Sequence, residues 1–156
     1  TTNDKSLTGD LSATMLHDTI SVSGSAATFE TQGIGGDCAG PVPAAVRFFF
    51  VSPEASGKGG AVSPGFYTQF WWSNPIDVKL LTGGQGSQPI TADMSNPNEW
   101  TDWNDQRGTV VFPAFEAAIH KVQEIGLSFG GECFFETGVK ADNPPEQFSS
   151  TFTETP

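Results

Sequence analysis

Basic residues are scarce in this chain. Its 156 residues include 7 Lys and Arg against 18 Asp and Glu, and the formal net charge is -11. Nucleic-acid-binding proteins carry a basic face that neutralises phosphates, and polybasic segments bind anionic lipid surfaces. The shortage of positive charge therefore argues against nucleic acid and against an anionic membrane surface as partners.

Long apolar runs are also missing. Crossing a bilayer as a helix takes roughly 20 predominantly apolar residues in succession, and no segment of the sequence approaches that length. The first ten residues, TTNDKSLTGD, lack the charged and apolar regions of a signal peptide. We therefore expect no membrane insertion, and we expect the chain to be a mature or excised product.

Cysteine is nearly absent. Cys38 in GGDCAG and Cys133 in GGECFF each follow two glycines and an acidic residue. Cys38 and Cys133 are far apart in the sequence, so a disulfide between them would close a long loop and would restrict the unfolded chain strongly. Such a bond would form in an oxidising compartment. We predict a Cys38–Cys133 disulfide in a secreted protein, with two buried, unpaired thiols as the alternative.

Turn-forming residues, by contrast, are abundant. The chain has 18 Gly and 11 Pro, which is typical of short strands joined by turns. Apolar and polar residues alternate, as they do in strands, in four segments: TISVSGSAATFETQG, AAVRFFFVSP, EIGLSFGG and EQFSSTFTE. A hairpin is predicted for two further segments, IDVKLLTGG and QPITADM. These patterns predict an all-β protein, an antiparallel β-sandwich folded as one domain over residues 1–156.

One segment departs from the alternation of strands. In FPAFEAAIHKVQEIG, the apolar residues Phe112, Phe115, Ile119 and Val122 recur at three- and four-residue spacing. That spacing places them on one face of a helix. We predict a short amphipathic α-helix near residues 112–122, packed across one end of a sheet.

The stretch GFYTQFWWSNP, residues 65–75, concentrates aromatic residues. A strand has two faces, and one face of this strand carries the Gln69 amide and the Ser73 hydroxyl. Because buried polar groups need hydrogen-bond partners, these two side chains favour a face in contact with solvent. Burial of both faces is the alternative. We therefore predict that Phe66, Thr68, Phe70 and Trp72 face the core, and that Tyr67, Gln69, Trp71 and Ser73 face solvent.

Two further tryptophans lie in NEWTDWND, a segment rich in turn formers. Sugars present apolar C–H faces ringed by hydroxyls, so their binding sites combine flat rings with amides, carboxylates or Arg. The alternative is that Trp100 begins a strand and that Trp103 plugs one end of the sandwich. The predicted ligand-binding residues are Arg47, Tyr67, Gln69, Trp71, Trp100, Asp102, Trp103 and Asn104.

The C-terminal half resembles a known family. The order W…DWN, then FPAFEAAIHKVQEIGLSFGG, then CFFETGV is similar to jelly-roll modules of the galactose-binding-like and laminin-type superfamily, which includes many carbohydrate-binding modules. The similarity covers residues 65–140. It implies a jelly roll that binds a glycan and, by analogy, a structural calcium. Oxygen ligands suit that ion, and the candidates here are Glu30, Asp37, Asp102 and Asp105.

Catalysis is the weaker expectation. No G-x-S-x-G nucleophile elbow occurs, and a glycosidase would need two carboxylates about 5 to 10 Å apart, such as Glu99 and Asp102. We expect a secreted, non-catalytic module that binds polysaccharide. An extracellular structural protein that assembles with itself is the alternative, and a small polysaccharide-active enzyme is the third possibility.

Overall fold

The computed structural model of the chain describes residues 1–23, 29–31, 42–43, 45–53, 67–77, 87–130, 140–141 and 147–155. Strands and one eight-residue helix account for most of the regular structure in these ranges. A short 3-10 helix, Pro97–Glu99, precedes β8. The elements are β1 (Met15–Ser23), β2 (Phe29–Thr31), β3 (Val42–Pro43), β4 (Ala45–Val51), β5 (Phe70–Ser73), β6 (Ile76–Asp77), β7 (Ser87–Asp93), β8 (Trp100–Asp102), α1 (Phe112–Ile119), β9 (Glu124–Gly130), β10 (Lys140–Ala141) and β11 (Gln147–Thr155).

One sheet has the order β11-β1-β7. Both neighbours run antiparallel to β1, which pairs with β11 from Met15↔Thr155 to Ser23↔Gln147. The central strand therefore brings together the beginning, middle and end of the chain. A smaller sheet has the order β10-β2-β3, and it is antiparallel throughout.

The third sheet is built around β4. On one side β4 pairs with β9, and on the other side it pairs with β5 and β6, while β8 pairs with β5. Val46, Phe48 and Phe50 are fully buried on one face of β4, whereas Arg47, Phe49 and Val51 are partly exposed on the other. This division of β4 into two faces is the one that its alternation predicts.

A β-bulge separates β5 from β6. Phe49 pairs with Trp72, whereas Val46 pairs with Ile76, so the β5–β6 segment has one more residue than β4 between these pairs. The extra residue lies in Asn74–Pro75, and such an insertion reverses which face later residues occupy. Ser73 and Ile76 consequently both point toward the core, the first buried and the second packed against its edge.

The core lies between the two larger sheets and under the helix. The sheet centred on β1 supplies Leu16, Ile20, Ile90 and Ala92, and α1 supplies Phe115, Ala118 and Ile119. Aromatic side chains fill the opposite side: Phe50 stacks on Trp71, and Trp71 meets Phe115 edge to face. The described core residues other than Ala45 therefore form one cluster, to which both sheets and the helix contribute.

The N-terminal segment covers the outer edge of β9. Thr2 exchanges backbone hydrogen bonds with Ile125 at 2.8 and 3.0 Å, and Gly9 exchanges two with Val122 at 2.8 Å. Leu11 donates its N–H to the Ile119 carbonyl. Because these bonds use edge groups that would otherwise pair with another chain, we call residues 1–11 the strap.

These findings confirm an all-β protein with antiparallel sheets and a short helix, as the sequence predicts. One detail is wrong. Phe112 was expected on the buried face of the helix but is 45% exposed, because it occupies the first residue of α1, where the helix has not yet reached the core. The predicted hairpin between residues 76–84 and 88–94 stays a prediction, because residues 78–86 lie outside the described residues.

None of the helices in the described ranges is both long enough and apolar enough to cross a membrane.

Candidate functional site

The structure places Trp71 and Trp100 in the core, which contradicts their predicted role in a binding platform. Both side chains are 0% exposed. Each indole N–H is hydrogen-bonded to a carbonyl, Trp71 to Thr68 at 2.8 Å and Trp100 to Asp93 at 2.9 Å. With its one polar atom satisfied, each ring is accommodated by an apolar interior, and neither is available to a ligand.

The predicted faces of the aromatic strand are therefore reversed. The prediction rested on the polar side chains of Gln69 and Ser73, but strand β5 begins only at Phe70, after a turn that contains Gln69. Ser73 is 4% exposed, and its Oγ accepts a hydrogen bond from the buried backbone N–H of Phe48 at 2.9 Å. The Ser73 hydroxyl, next to the bulge, thus accepts the hydrogen bond that a backbone carbonyl would accept in a regular ladder. A polar side chain at this position therefore does not indicate that this face of the strand contacts solvent.

The opposite face of this sheet carries a cluster of aromatic rings, each partly exposed: Phe49, Phe70, Trp72 and Trp103. We call these four side chains the aromatic face. Neighbouring ring centroids are 5.0 to 6.5 Å apart. Phe49 and Trp72 are direct cross-strand partners, an arrangement in which aromatic pairs stabilise a sheet.

Arg47 extends this surface with a cation. Its guanidinium carbon lies 5.9 Å from the centroid of the Trp72 ring, within the range of a cation–π contact. Arg47 was predicted to share a sheet face with Trp71. In the structure it contacts the neighbouring residue Trp72 instead.

The loop after β8 is organised by Asp102. This carboxylate is 2% exposed, and its Oδ1 accepts hydrogen bonds from the backbone N–H groups of Asn104 and Gln106, both at 2.9 Å. Burial raises the pKa of the Asp102 carboxyl, against the opposing effect of those two hydrogen bonds. The side chain is therefore a structural anchor of the loop and does not reach solvent as a ligand-binding group would.

The anchored loop positions Trp103 and Asn104 at the edge of the aromatic face. Trp103 lies 5.2 Å from the Phe70 ring and 5.9 Å from the Trp72 ring, centroid to centroid, and its backbone N–H donates to the Tyr67 carbonyl. Asn104 is exposed beside it, while Tyr67 and Gln69 are partly exposed in the segment before β5. Of the predicted set, Arg47, Trp103 and Asn104 thus lie at or next to one surface.

Of the four predicted calcium ligands, Asp102 and Asp105 have described side chains. Asp102 is buried, whereas Asp105 is exposed with a φ of 58° in the turn that follows. Within the ranges that the structure covers, no three His, Cys, Asp or Glu side chains are grouped to hold a metal. Glu30 lies in β2, and Asp37 lies outside the described residues, so calcium binding stays a prediction.

Two further predictions concern the disulfide and a catalytic role for Glu99. Cys38 and Cys133 are both outside the described residues, and the disulfide remains a prediction. Glu99, considered as a partner of Asp102 in catalysis, accepts hydrogen bonds from the Asp93 N–H and the Asn96 amide, both at 2.9 Å. These bonds hold the turn between β7 and β8.

Sequence reasoning missed Phe49, Phe70 and Trp72 as candidate site residues. A signal for them was present, because β4 alternates clearly and places Phe49 beside Arg47 on the less apolar face. The register of β4 with β5 then determines which of Trp71 and Trp72 joins that face, and this register is a property of the folded sheet.

Comparisons with protein-family models, with curated proteins and with solved structures found no match to this chain. The resemblance to galactose-binding-like modules therefore stays a prediction from the sequence.

Proposed function

We propose that this protein is a secreted, non-catalytic module that binds carbohydrate through the aromatic face. The observation that supports the proposal is the grouping of Phe49, Phe70, Trp72 and Trp103 on the outer side of a sheet, with Arg47 against Trp72. A cluster of apolar rings that remains in contact with solvent is typical of a binding surface.

The chemistry of the surface suits a sugar chain. Indole and phenyl rings stack on the C–H faces of pyranoses, and the rings here offer several such contacts along one sheet. Arg47 contributes up to five N–H donors in a planar fork, and the exposed Asn104 amide can both donate and accept. The Arg47 guanidinium and the Asn104 amide can each form hydrogen bonds with two adjacent hydroxyls of a sugar.

The finer features of the proposal rest on the sequence. They are a jelly-roll connectivity, a Cys38–Cys133 disulfide, secretion and a structural calcium. The two antiparallel sheets with a helix across the core are compatible with the first of these, and the others await direct measurement.

The first test is tryptophan fluorescence during titration with soluble glucans, xylans, mannans and galactans, with and without calcium. We expect a saturable change with at least one glycan. In Trp72→Ala and Trp103→Ala the affinity should fall about tenfold or more, as it does when a central aromatic contact is removed. Val110→Ala is the control, because Val110 is 71% exposed and is not one of the four residues of the aromatic face.

Two results would reject the proposal. One is no response to any glycan by a folded wild-type protein. The other is a response that Trp72→Ala and Trp103→Ala leave intact while circular dichroism shows both variants folded. A calcium effect on the melting temperature without an effect on glycan affinity would assign the ion a structural role alone.

Self-association is the second candidate, and the position of β11 favours it. Among the described strands, this nine-residue strand pairs on one side only, with β1, at the edge of its sheet. An open edge is a template for pairing with another chain. Light scattering coupled to size exclusion over a range of concentrations would reveal such assembly, whereas a constant monomer mass would exclude it.

A further inference from the structure

Arg107 lies on the same side of the sheet as the aromatic face. It is the bridge partner of Thr101 in β8, and Thr101 is in turn the partner of Trp72 in β5. Directly paired residues of antiparallel strands point to the same side of a sheet, so these three residues form a row across the strands. Because neighbouring strands are about 4.8 Å apart, the Cα atoms of Arg107 and Trp72 are separated by about 10 Å. The row therefore extends the aromatic face beyond β8.

The guanidinium of Arg107 is anchored through one of its three nitrogens. Nη1 donates to Oδ1 of Asn74 and to the carbonyl of Asn98, the latter at 2.9 Å. In the part of the chain that the structure describes, Nη2 and Nε have no acceptor, and the side chain is exposed. The protein thus orients the group and leaves the edge formed by Nη2 and Nε, with its N–H donors, in contact with solvent.

The charge of Arg107 has no counterpart among the described carboxylates. Its two acceptors, an amide oxygen and a backbone carbonyl, are both neutral. No described carboxylate forms an ion pair with it, although the chain has 18 acidic residues and Asp105 is two positions away. Carboxylates bind an arginine edge through two parallel hydrogen bonds, which are stronger than bonds between neutral groups. The Nη2–Nε edge therefore suits a carboxylate supplied by a ligand.

We propose that the glycan bound at the aromatic face is acidic, with the carboxylate of one uronic acid on Nη2 and Nε of Arg107 and a nearby sugar stacked on Trp72. This inference rests on the proposed function, since it assigns the class of glycan that the same surface binds. The net charge of -11 opposes the approach of a polyanion. That repulsion is screened beyond about 8 Å at physiological ionic strength, whereas the contact with Arg107 is direct.

The test compares oligosaccharides that differ only in charge. Hexamers of galacturonic, mannuronic and glucuronic acid are titrated as free acids and as methyl esters, with tryptophan fluorescence as the readout. A chelator is present, because calcium can bridge carboxylates on its own. We expect at least one acid to bind about tenfold more tightly than its ester, as hydrogen bonds to a charged group allow. Raising sodium chloride should weaken binding of that acid and not of its ester.

Two results would overturn this inference and leave the proposed function standing. One is that every ester binds as well as its acid while Trp72→Ala abolishes the binding. The other is that a neutral glycan binds and no acid does. Absence of binding by acidic and neutral glycans alike, or tighter binding of a polyglutamate peptide than of any glycan, would reject both proposals.

Variants then assign the charge preference to one residue. Arg107→Gln should weaken the preferred acid by about tenfold and should leave the affinity for its ester unchanged. Lys121→Gln makes the same change in net charge at an exposed position after α1 and should alter neither affinity. Equal losses in these two variants would show that only net charge matters. If Arg107→Gln does not fold, Arg107→Lys keeps the charge without the planar edge, and an unchanged affinity for the acid would refute the paired contact.

Discussion

Trp71 and Trp72 are neighbours in the chain and lie on opposite sides of one sheet. The Trp71 ring is fully buried and meets Phe115 edge to face at 5.1 Å, whereas the Trp72 ring is partly exposed beneath the guanidinium of Arg47. One strand thus supplies both a core residue and a surface residue of the same type. The two have different expected consequences when they are substituted.

Substitution of Trp71 should damage the fold far more than substitution of Trp72. Trp71→Ala leaves a large cavity and should lower the free energy of unfolding by about 3 to 5 kcal/mol. Trp72→Ala should lower it by about 1 to 2 kcal/mol, because part of the ring is already in contact with water. Urea unfolding followed by circular dichroism measures both. Equal losses in the two variants would contradict the assignment of faces.

Ser73 should contribute through its hydroxyl. Ser73→Ala removes the Oγ that accepts the buried Phe48 N–H, and loss of an acceptor for a buried donor costs about 1 to 3 kcal/mol. Ser128→Ala, at a partly exposed position on β9, is the control and should change the unfolding free energy by less than about 0.5 kcal/mol. Similar values for both variants would mean that the bulge does not depend on this bond.

Gly108 should tolerate no side chain. A Cβ at this position would lie 2.8 Å from the Pro97 carbonyl oxygen and 3.0 Å from Cγ of Phe115. Gly108→Ala should therefore lower the unfolding free energy by about 1 to 3 kcal/mol, as overpacking does. Thr109→Ala, at the exposed position next to Gly108, is the control. If thermal melting places both variants at the wild-type temperature, the packing of this turn against α1 is looser than the structure indicates.

Asp102 should make the stability depend on pH in a predictable direction. Because its pKa is raised in the folded protein, the folded state holds the proton more tightly than the unfolded state does. Acidification through the folded pKa toward the ordinary value of 3.8 should therefore stabilise the fold through this group. Asp102→Asn should lose that gain, while its amide oxygen can still accept the loop N–H groups.

The measurement is the melting temperature of wild type and Asp102→Asn at pH 7 and at pH 4. The variant should be more stable relative to wild type at pH 7 than at pH 4. A difference between the two proteins that is the same at both values would show that the Asp102 carboxyl has the same affinity for protons in the folded and unfolded states.

Much of the fold follows from local pattern. The alternation in AVRFFFV assigns Val46, Phe48 and Phe50 to the core, and the three- and four-residue spacing of apolar residues from Phe112 to Val122 predicts a helix, which the structure has over Phe112–Ile119. These predictions succeed because each element needs one apolar side, and the side chains on that side recur with the period of the element.

The candidate site was harder to predict for a related reason. FWWS has aromatic residues on both faces, so its pattern does not say which face is buried. Likewise, polarity at Ser73 and Asp102 indicated solvent, yet both side chains are buried and accept backbone N–H groups. A polar side chain is stable inside a protein when it is hydrogen-bonded, and its partner is known only after the chain has folded.

The sequence by itself determined the acidic charge, the predominance of antiparallel strands, the position of the helix and the two faces of β4. These depend on composition and on residues close together in the chain. Only the tertiary structure decided that Trp71 and Trp100 are core residues and that Trp72 and Trp103 share the aromatic face. The physical reason is that the register between distant strands, together with the one-residue bulge, sets which side of β5 meets the second sheet.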